Sequence, residues 1–106
     1  MGTAGYAETY AASVTDPEAF WLKAAELVDW DVRPRQALDE TGAPLYRWFP
    51  DGALNTSYNA LDRHVLAGRG GDTALVYDSA MLGRKRTYTF AELLTEVENF
   101  AGVLHG

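Results

Sequence analysis

Between residues 31 and 55 no secondary-structure period survives. Pro34, Gly42, Pro44, Pro50 and Gly52 interrupt any helix or long strand. Yet the same stretch holds Leu45, Tyr46, Trp48 and Phe49, too apolar a set for a solvated linker. Its backbone groups need hydrogen-bond partners and its rings need a surface to cover them. An irregular run of this length is uncommon inside a compact domain, and a chain of 106 residues has little surface to spare for it. The stretch is therefore expected to lie extended along the surface of something larger, with the chain a fragment of that larger body.

Regular elements flank it on both sides. Tyr6, Tyr10 and Val14 recur every fourth residue, beside Ala7 and Ala11, and predict a first helix. Thr15-Asp16-Pro17-Glu18 opens a second. Either Thr15 caps it with Glu18 returning the bond, or Asp16 caps it with Pro17 in the first helical position. Behind that start Phe20, Ala24, Leu27 and Val28 form an apolar stripe, with Trp21 at its edge. A third helix is predicted over residues 56–67, capped by Asn55, with Tyr58, Leu61, Val65 and Leu66 facing inward. Gly68-Arg69-Gly70-Gly71-Asp72 ends it. Ala74-Leu75-Val76-Tyr77 and Arg86-Thr87-Tyr88-Thr89 are rich in β-formers and enclose Gly83, which predicts a hairpin. Thr89-Phe90-Ala91-Glu92 reads as a capping box for a last helix whose stripe is Phe90, Leu93, Leu94, Val97, Ala101 and Leu104, with Gly106 placed as a C-cap. The fold class expected is α+β: N-terminal helices and an extended segment, then helix, β-hairpin and helix.

Composition removes several kinds of function. With 47% apolar and 23% charged residues the chain is of globular type. A net charge of -6 argues against nucleic acid and against an anionic membrane surface as partners. No cysteine is present, so a disulfide, a thiolate nucleophile and a cysteine-based zinc site are all excluded. No apolar run reaches the ~18 residues of a spanning helix. The opening Met1-Gly2-Thr3-Ala4-Gly5 has no basic leader, and a cytoplasmic location is expected.

Each candidate for chemistry has a plainer reading. Gly68-Arg69-Gly70-Gly71 has the composition of a phosphate cradle, but such loops follow a strand and open a helix, and here the order is reversed. A turn is expected. Arg84-Lys85-Arg86 is the one dense basic tract; its plainer role is a solvated hairpin loop whose charges keep a strand edge from aggregating. Asp62-Arg63-His64 are adjacent on a helix and so point apart, and His64 has no histidine four residues away for zinc. His64 is expected to be an interface or core hydrogen-bonding group and not a general base. His105 favours a helix C-terminus and needs no other role. Ser57 and Ser79 lack a nucleophile-elbow context. Arg47, Trp48 and Phe49 are expected to pin the irregular segment to a neighbouring surface, not to line a pocket.

A series of residues then carries a resemblance. Tyr6, Tyr10 and Ser13 lead to Asp16-Pro17-Glu18-Ala19-Phe20-Trp21 and Leu27-Val28-Asp29-Trp30. Tyr46-Arg47-Trp48-Phe49-Pro50-Asp51-Gly52-Ala53-Leu54-Asn55 and Ser57-Tyr58-Asn59-Ala60-Leu61-Asp62-Arg63-His64-Val65 follow. Ala74-Leu75-Val76-Tyr77-Asp78-Ser79 and Arg86-Thr87-Tyr88-Thr89-Phe90-Ala91-Glu92-Leu93-Leu94 complete it. In this order they resemble the N-terminal region of AMP-forming acetyl- and propionyl-CoA synthetases, in the adenylate-forming superfamily. Ala60, where acetate enzymes tend to carry Cys, and the Asp78-Ser79…Gly83-Arg84-Lys85-Arg86-Thr87 hairpin make it more similar to propionate–CoA ligases.

The resemblance implies a parent ligase that makes an acyl-adenylate from a carboxylate and ATP with Mg2+, then passes the acyl group to coenzyme A. It implies that residues 1–72 form the family's N-terminal domain and residues 73–106 begin the adenylating domain. The family's phosphate loop and adenylation lysine lie in later domains and neither motif occurs here. No catalytic, cofactor-binding or metal residue can be carried onto this chain. The expected partner is the remainder of the parent synthetase, and the isolated chain is expected to be inactive and to self-associate through uncovered apolar surface. Two other readings stand beside this one: an independent protein-interaction module, and a small nucleotide-binding domain using Arg84, Lys85 and Arg86.

Overall fold

In the computed structural model, which describes residues 5–106, Asp16 and not Thr15 caps the second helix. (Residues 1–4, where no basic leader was expected, lie outside the described residues.) The chain packs as two compact units, Met1–Asn55 and Thr56–Gly106, each built of helix and a small antiparallel sheet, an α+β fold. This division of packing falls at a different place from the homology boundary expected at residue 72.

In the first unit, α1 (Tyr6–Thr15) carries Tyr6 and Tyr10 stacked at 6.2 Å on its surface. α2 (Pro17–Ala24) starts where the Asp16 carboxylate accepts the Ala19 N–H at 3.1 Å, with Pro17 at a position that needs no donor. Glu18 is thereby free for another task, described below. The expected stripe through Leu27 and Val28 does not continue: the α-helix ends at Ala24, a 3₁₀ turn covers Ala25–Leu27, and Val28 is extended. The Trp30 indole N–H donates to the Ala25 carbonyl at 2.8 Å, occupying the acceptor that a further helical turn would use. Leu27 and Val28 are left exposed while Ala25 is buried.

The irregular stretch folds back on itself over part of its length and finds some of its backbone partners within the unit. β1 (Leu38–Asp39) pairs antiparallel with β2 (Arg47–Trp48), Leu38 opposite Trp48 and Asp39 opposite Arg47. Farther out, Val32 bridges Ala53, whose carbonyl accepts from Asp31 and Val32 at 2.8 and 3.0 Å. The prolines and glycines that break every period provide the reversals that make this possible.

In the second unit, residues 56–69 are helical as expected, but Tyr58–Asp62 and Val65–Arg69 are π-helical. A five-residue hydrogen-bond step abandons the 3.6-residue count on which the stripe was read. Leu61 is buried and Val65 half-buried, but Leu66 is 76% exposed. Gly68, at φ 85°, adopts the left-handed conformation that breaks the helix. β3 (Thr73–Ser79) and β4 (Arg84–Thr89) form the predicted hairpin.

α3 (Phe90–His105) opens on a complete capping box: the Glu92 N–H donates to Thr89 Oγ1 and the Thr89 N–H to Glu92 Oε2, both at 3.2 Å. It packs against both strands and both π-helical segments. Phe90, Leu93, Leu94 and Val97 are half-buried, but the same stripe runs on uncovered, with Phe100 64% and Leu104 73% exposed. Thr89→Ala is expected to cost about 1 kcal/mol, read as a lower urea midpoint with an unchanged slope.

Candidate functional site

The densest constellation of side chains is the aromatic and carboxylate cluster of the first unit. Trp21 meets Trp48 edge-on at 5.7 Å, Trp48 lies 6.0 Å from Phe49, and Phe49 lies 5.5 Å from Trp30. The expected anchoring role of Trp48 and Phe49 is realised here, within the unit itself. Phe49 holds its place at φ 47°, costly for a bulky residue, where its N–H donates to the Ala37 carbonyl at 2.7 Å.

Two carboxylates tie down the irregular backbone around these rings. Glu18 accepts the N–H groups of Ala37 at 2.6 Å and Leu38 at 3.4 Å, joining α2 to β1. Asp51 accepts those of Arg35 at 3.0 Å and Gln36 at 3.4 Å. Neither was identified from the sequence as a staple, because bonds spanning 15 to 20 residues leave no local signature. The bond from Arg35 is the main reason the Asp51 carboxyl is held below its usual value. Asp39 is lowered chiefly by the Thr41 hydroxyl, which donates at 2.7 Å.

A carboxyl lowered in the folded state stabilises at any pH above its unfolded pKa and loses that effect as pH falls through the folded value. These two groups should therefore contribute a constant stabilisation between pH 7 and 5, which is lost progressively as pH drops below the ordinary value of 3.8. Melting temperatures of Asp51→Ala and the unsubstituted chain are expected to converge toward pH 2.

The chemical candidates of the second unit are engaged in structure. The Gly70 and Asp72 carbonyls accept the N–H groups of Ala91 and Phe90, each at 3.0 Å. With Glu92 N–H on Thr89, the first donors of α3 are used internally. The glycine loop thus presents acceptors to a helix start, the opposite of a phosphate cradle. Arg69 bonds Asp72 at 3.0 Å and lies 5.8 Å from the Phe90 ring centre. His64, expected as a hydrogen-bonding group, packs its ring on Phe90 at 5.0 Å, and Ser79 Oγ accepts the Leu82 N–H within the turn. Arg63 reaches Asn59 at 3.1 Å, one turn back along its own helix.

Arg84, Lys85 and Arg86 lie on β4, not in the connecting loop. Arg86 stacks over Tyr88 at 4.3 Å, beside an open depression of about 500 Å³ lined by Tyr77, Gly83 and the three cations. Among the described residues no group of three or more His, Asp or Glu side chains is placed to hold a metal ion. Nor is any helix of the described residues long and apolar enough to cross a membrane.

Comparison with known proteins relates this arrangement to the N-terminal part of one family. The family model described as "Acetyl-coenzyme A synthetase N-terminus" matches residues 6–60, which takes in both carboxylate staples and the whole aromatic cluster. The human protein named "Acyl-CoA synthetase short-chain family member 3, mitochondrial" is 47% identical over 103 residues, covering 95% of this chain and 15% of that protein. "Acetyl-coenzyme A synthetase" of Burkholderia thailandensis is 44% identical over 104 residues, 97% of this chain and 16% of that protein. The protein of the same name in Mycobacterium tuberculosis is 41% identical over 98 residues, 92% of this chain and 15% of its own length. The chain belongs to the AMP-forming short-chain acyl-CoA synthetase family and corresponds to its N-terminal region. It spans about 15% of the length of these relatives.

Proposed function

We propose that this chain is the structural N-terminal part of a ligase that joins a short-chain carboxylate, propionate in the first place, to coenzyme A at the expense of ATP. The carboxylate is a poor electrophile and is activated as a mixed anhydride with AMP, pyrophosphate leaving. The coenzyme A thiol then takes the acyl group and AMP leaves. ATP and Mg2+ do not fit the residues present. The donors at the start of α3 are bonded to Asp72, Gly70 and Thr89, and the Glu18 and Asp51 carboxylates are spent on backbone amides. The chemistry is accordingly assigned to the rest of the synthetase, and bracing to this part.

The internal use of the glycine loop's carbonyls and of the first α3 donors is the observation that carries the structural role. The Tyr58-Asn59-Ala60-Leu61-Asp62-Arg63-His64 series, with Ala at position 60, is what favours propionate over acetate. Exposed Leu45 and Tyr46 in one unit and Phe100 and Leu104 in the other are surfaces for the remaining chain to cover.

Coupled assay of AMP release decides both halves. The 106-residue chain is expected to give no release with ATP, coenzyme A and either acid. A synthetase that contains it is expected to give a higher kcat/KM for propionate than for acetate. Turnover by the chain alone would overturn the structural role; a preference for acetate would overturn the propionate reading. Calorimetric titration of the chain with ATP is expected to show no saturable heat, and a saturable signal would favour the nucleotide-binding alternative.

A further inference from the structure

Arg84 and Arg86 of β4 share a concave face for which the synthetase reading has no use. The chain has 15 acidic side chains against 9 Lys and Arg, so carboxylate partners are in excess. Arg33 pairs with Glu26 and Arg69 with Asp72. Arg84 and Arg86 pair with no carboxylate among the described residues. Beyond the irregularity between Thr73 and Leu75 the hairpin register is regular, with Leu75 opposite Tyr88, Tyr77 opposite Arg86 and Ser79 opposite Arg84. Opposed residues share a face, and so do alternate residues of one strand. Arg84, Arg86, Tyr77 and Tyr88 therefore stand on one side of the sheet, and all four line the depression of about 500 Å³. Arg86 is held over the Tyr88 ring at 4.3 Å, which orders its guanidinium before anything binds.

We infer that this face receives an extended acidic segment from the remainder of the parent synthetase, with Asp or Glu at alternate positions. Strand residues two apart are separated by about 6.8 Å, so carboxylates at the same spacing reach both guanidinium forks. The tyrosine hydroxyls offer further donors to the same carboxylates. Charge and chain length together select the occupant. A small free anion would keep its water in so open a depression and be screened by salt. A second copy must reach the site from solution, whereas a segment of the same polypeptide stands at an effective concentration on the order of millimolar. The human relative has 15% of its length in the matched stretch, so most of such a protein lies outside it. The inference rests on the synthetase reading, because it takes its occupant from the rest of that protein.

The test uses a synthetase that contains this chain, with the 106-residue chain as reference. Arg86→Lys puts a primary amine in the depression, and a carbodiimide couples an amine to a carboxylate in direct contact. Mass spectrometry is expected to find position 86 linked to an Asp or Glu beyond residue 106 of the same polypeptide. The yield should be at least tenfold lower in 1 M salt, where the Debye length is about 3 Å. Arg84→Lys is expected to link two residues from the first carboxylate, and the reference chain to give neither link. No link beyond residue 106 in either variant would overturn the proposal. So would links to a second copy, recognised by doubled mass, or ATP binding to the chain that Arg84→Gln with Arg86→Gln removes. AMP release by the unsubstituted synthetase reports on the enzyme separately. Release without either link defeats the docking site alone, and no release defeats the synthetase reading.

Discussion

Gly52→Ala is expected to unravel the irregular segment of the first unit, although it adds only one methyl group, at a half-buried position. A Cβ built on Gly52 would lie 2.7 Å from Cζ3 and 3.1 Å from Cε3 of Trp30, and 3.1 Å from the Pro34 Cβ. Side chains at such distances must move, and here little can yield. Trp30 is anchored by its indole N–H on the Ala25 carbonyl and by Phe49 against its ring, while Pro34 is buried and rigid in φ. Forced overpacking costs about 1–3 kcal/mol, and the upper end is expected because three atoms are met at once. Displacing Trp30 would release the end of α2 and the bridge between Val32 and Ala53 together. Amide exchange is the measurement: protection at Val32 and Ala53 should fall by roughly the full destabilisation, about a hundredfold for 2.7 kcal/mol. Gly42→Ala, whose Cβ would meet one backbone oxygen at 3.2 Å, should have a smaller effect. If both variants behave alike, the close approach to Trp30 is not what demands glycine at position 52.

What the sequence disclosed follows from how local each signal is. The capping box at Thr89 and Glu92, the start at Asp16 and Pro17, and the hairpin around Gly83 each lie within a few residues, and all are present in the fold. Thr15-Asp16-Pro17-Glu18 left two capping schemes open because both fit the spacing. Tertiary structure selects between them, since Glu18 is required 19 residues away at Ala37. The irregular stretch could be seen to need partners, but not that it would find many of them in itself. Backbone bonds between Asp31 and Ala53 or Phe49 and Ala37 carry no residue-type signature. Helical periodicity predicted the third helix, with Leu61 and Val65 inward, but also placed Tyr58 and Leu66 there, and both are exposed. The family relationship was legible from a long ordered series of residues, and the comparisons agree with it.

Leu61 and Leu66 provide the second large effect and a test of the π-helical register in one experiment. Sequence periodicity puts both leucines in the same buried stripe; in the structure Leu61 is 7% exposed and Leu66 is 76% exposed. Leu61 lies on the π-helical segment that packs against α3, and among the described residues of the second unit it is the buried apolar side chain. Truncating a buried leucine to alanine costs about 2–5 kcal/mol, the lost transfer of its methyl groups plus the cavity left behind. A unit of this size has a thin margin, of the same order as that loss. Leu61→Ala is therefore expected to leave the second unit largely unfolded at 25 °C, read as loss of amide protection along α3. Leu66→Ala, on an exposed position, should stay within about 0.5 kcal/mol of the unsubstituted chain. Equal and large effects at both positions would mean that an α-helical stripe, and not the π-helical segment, forms the core of this unit.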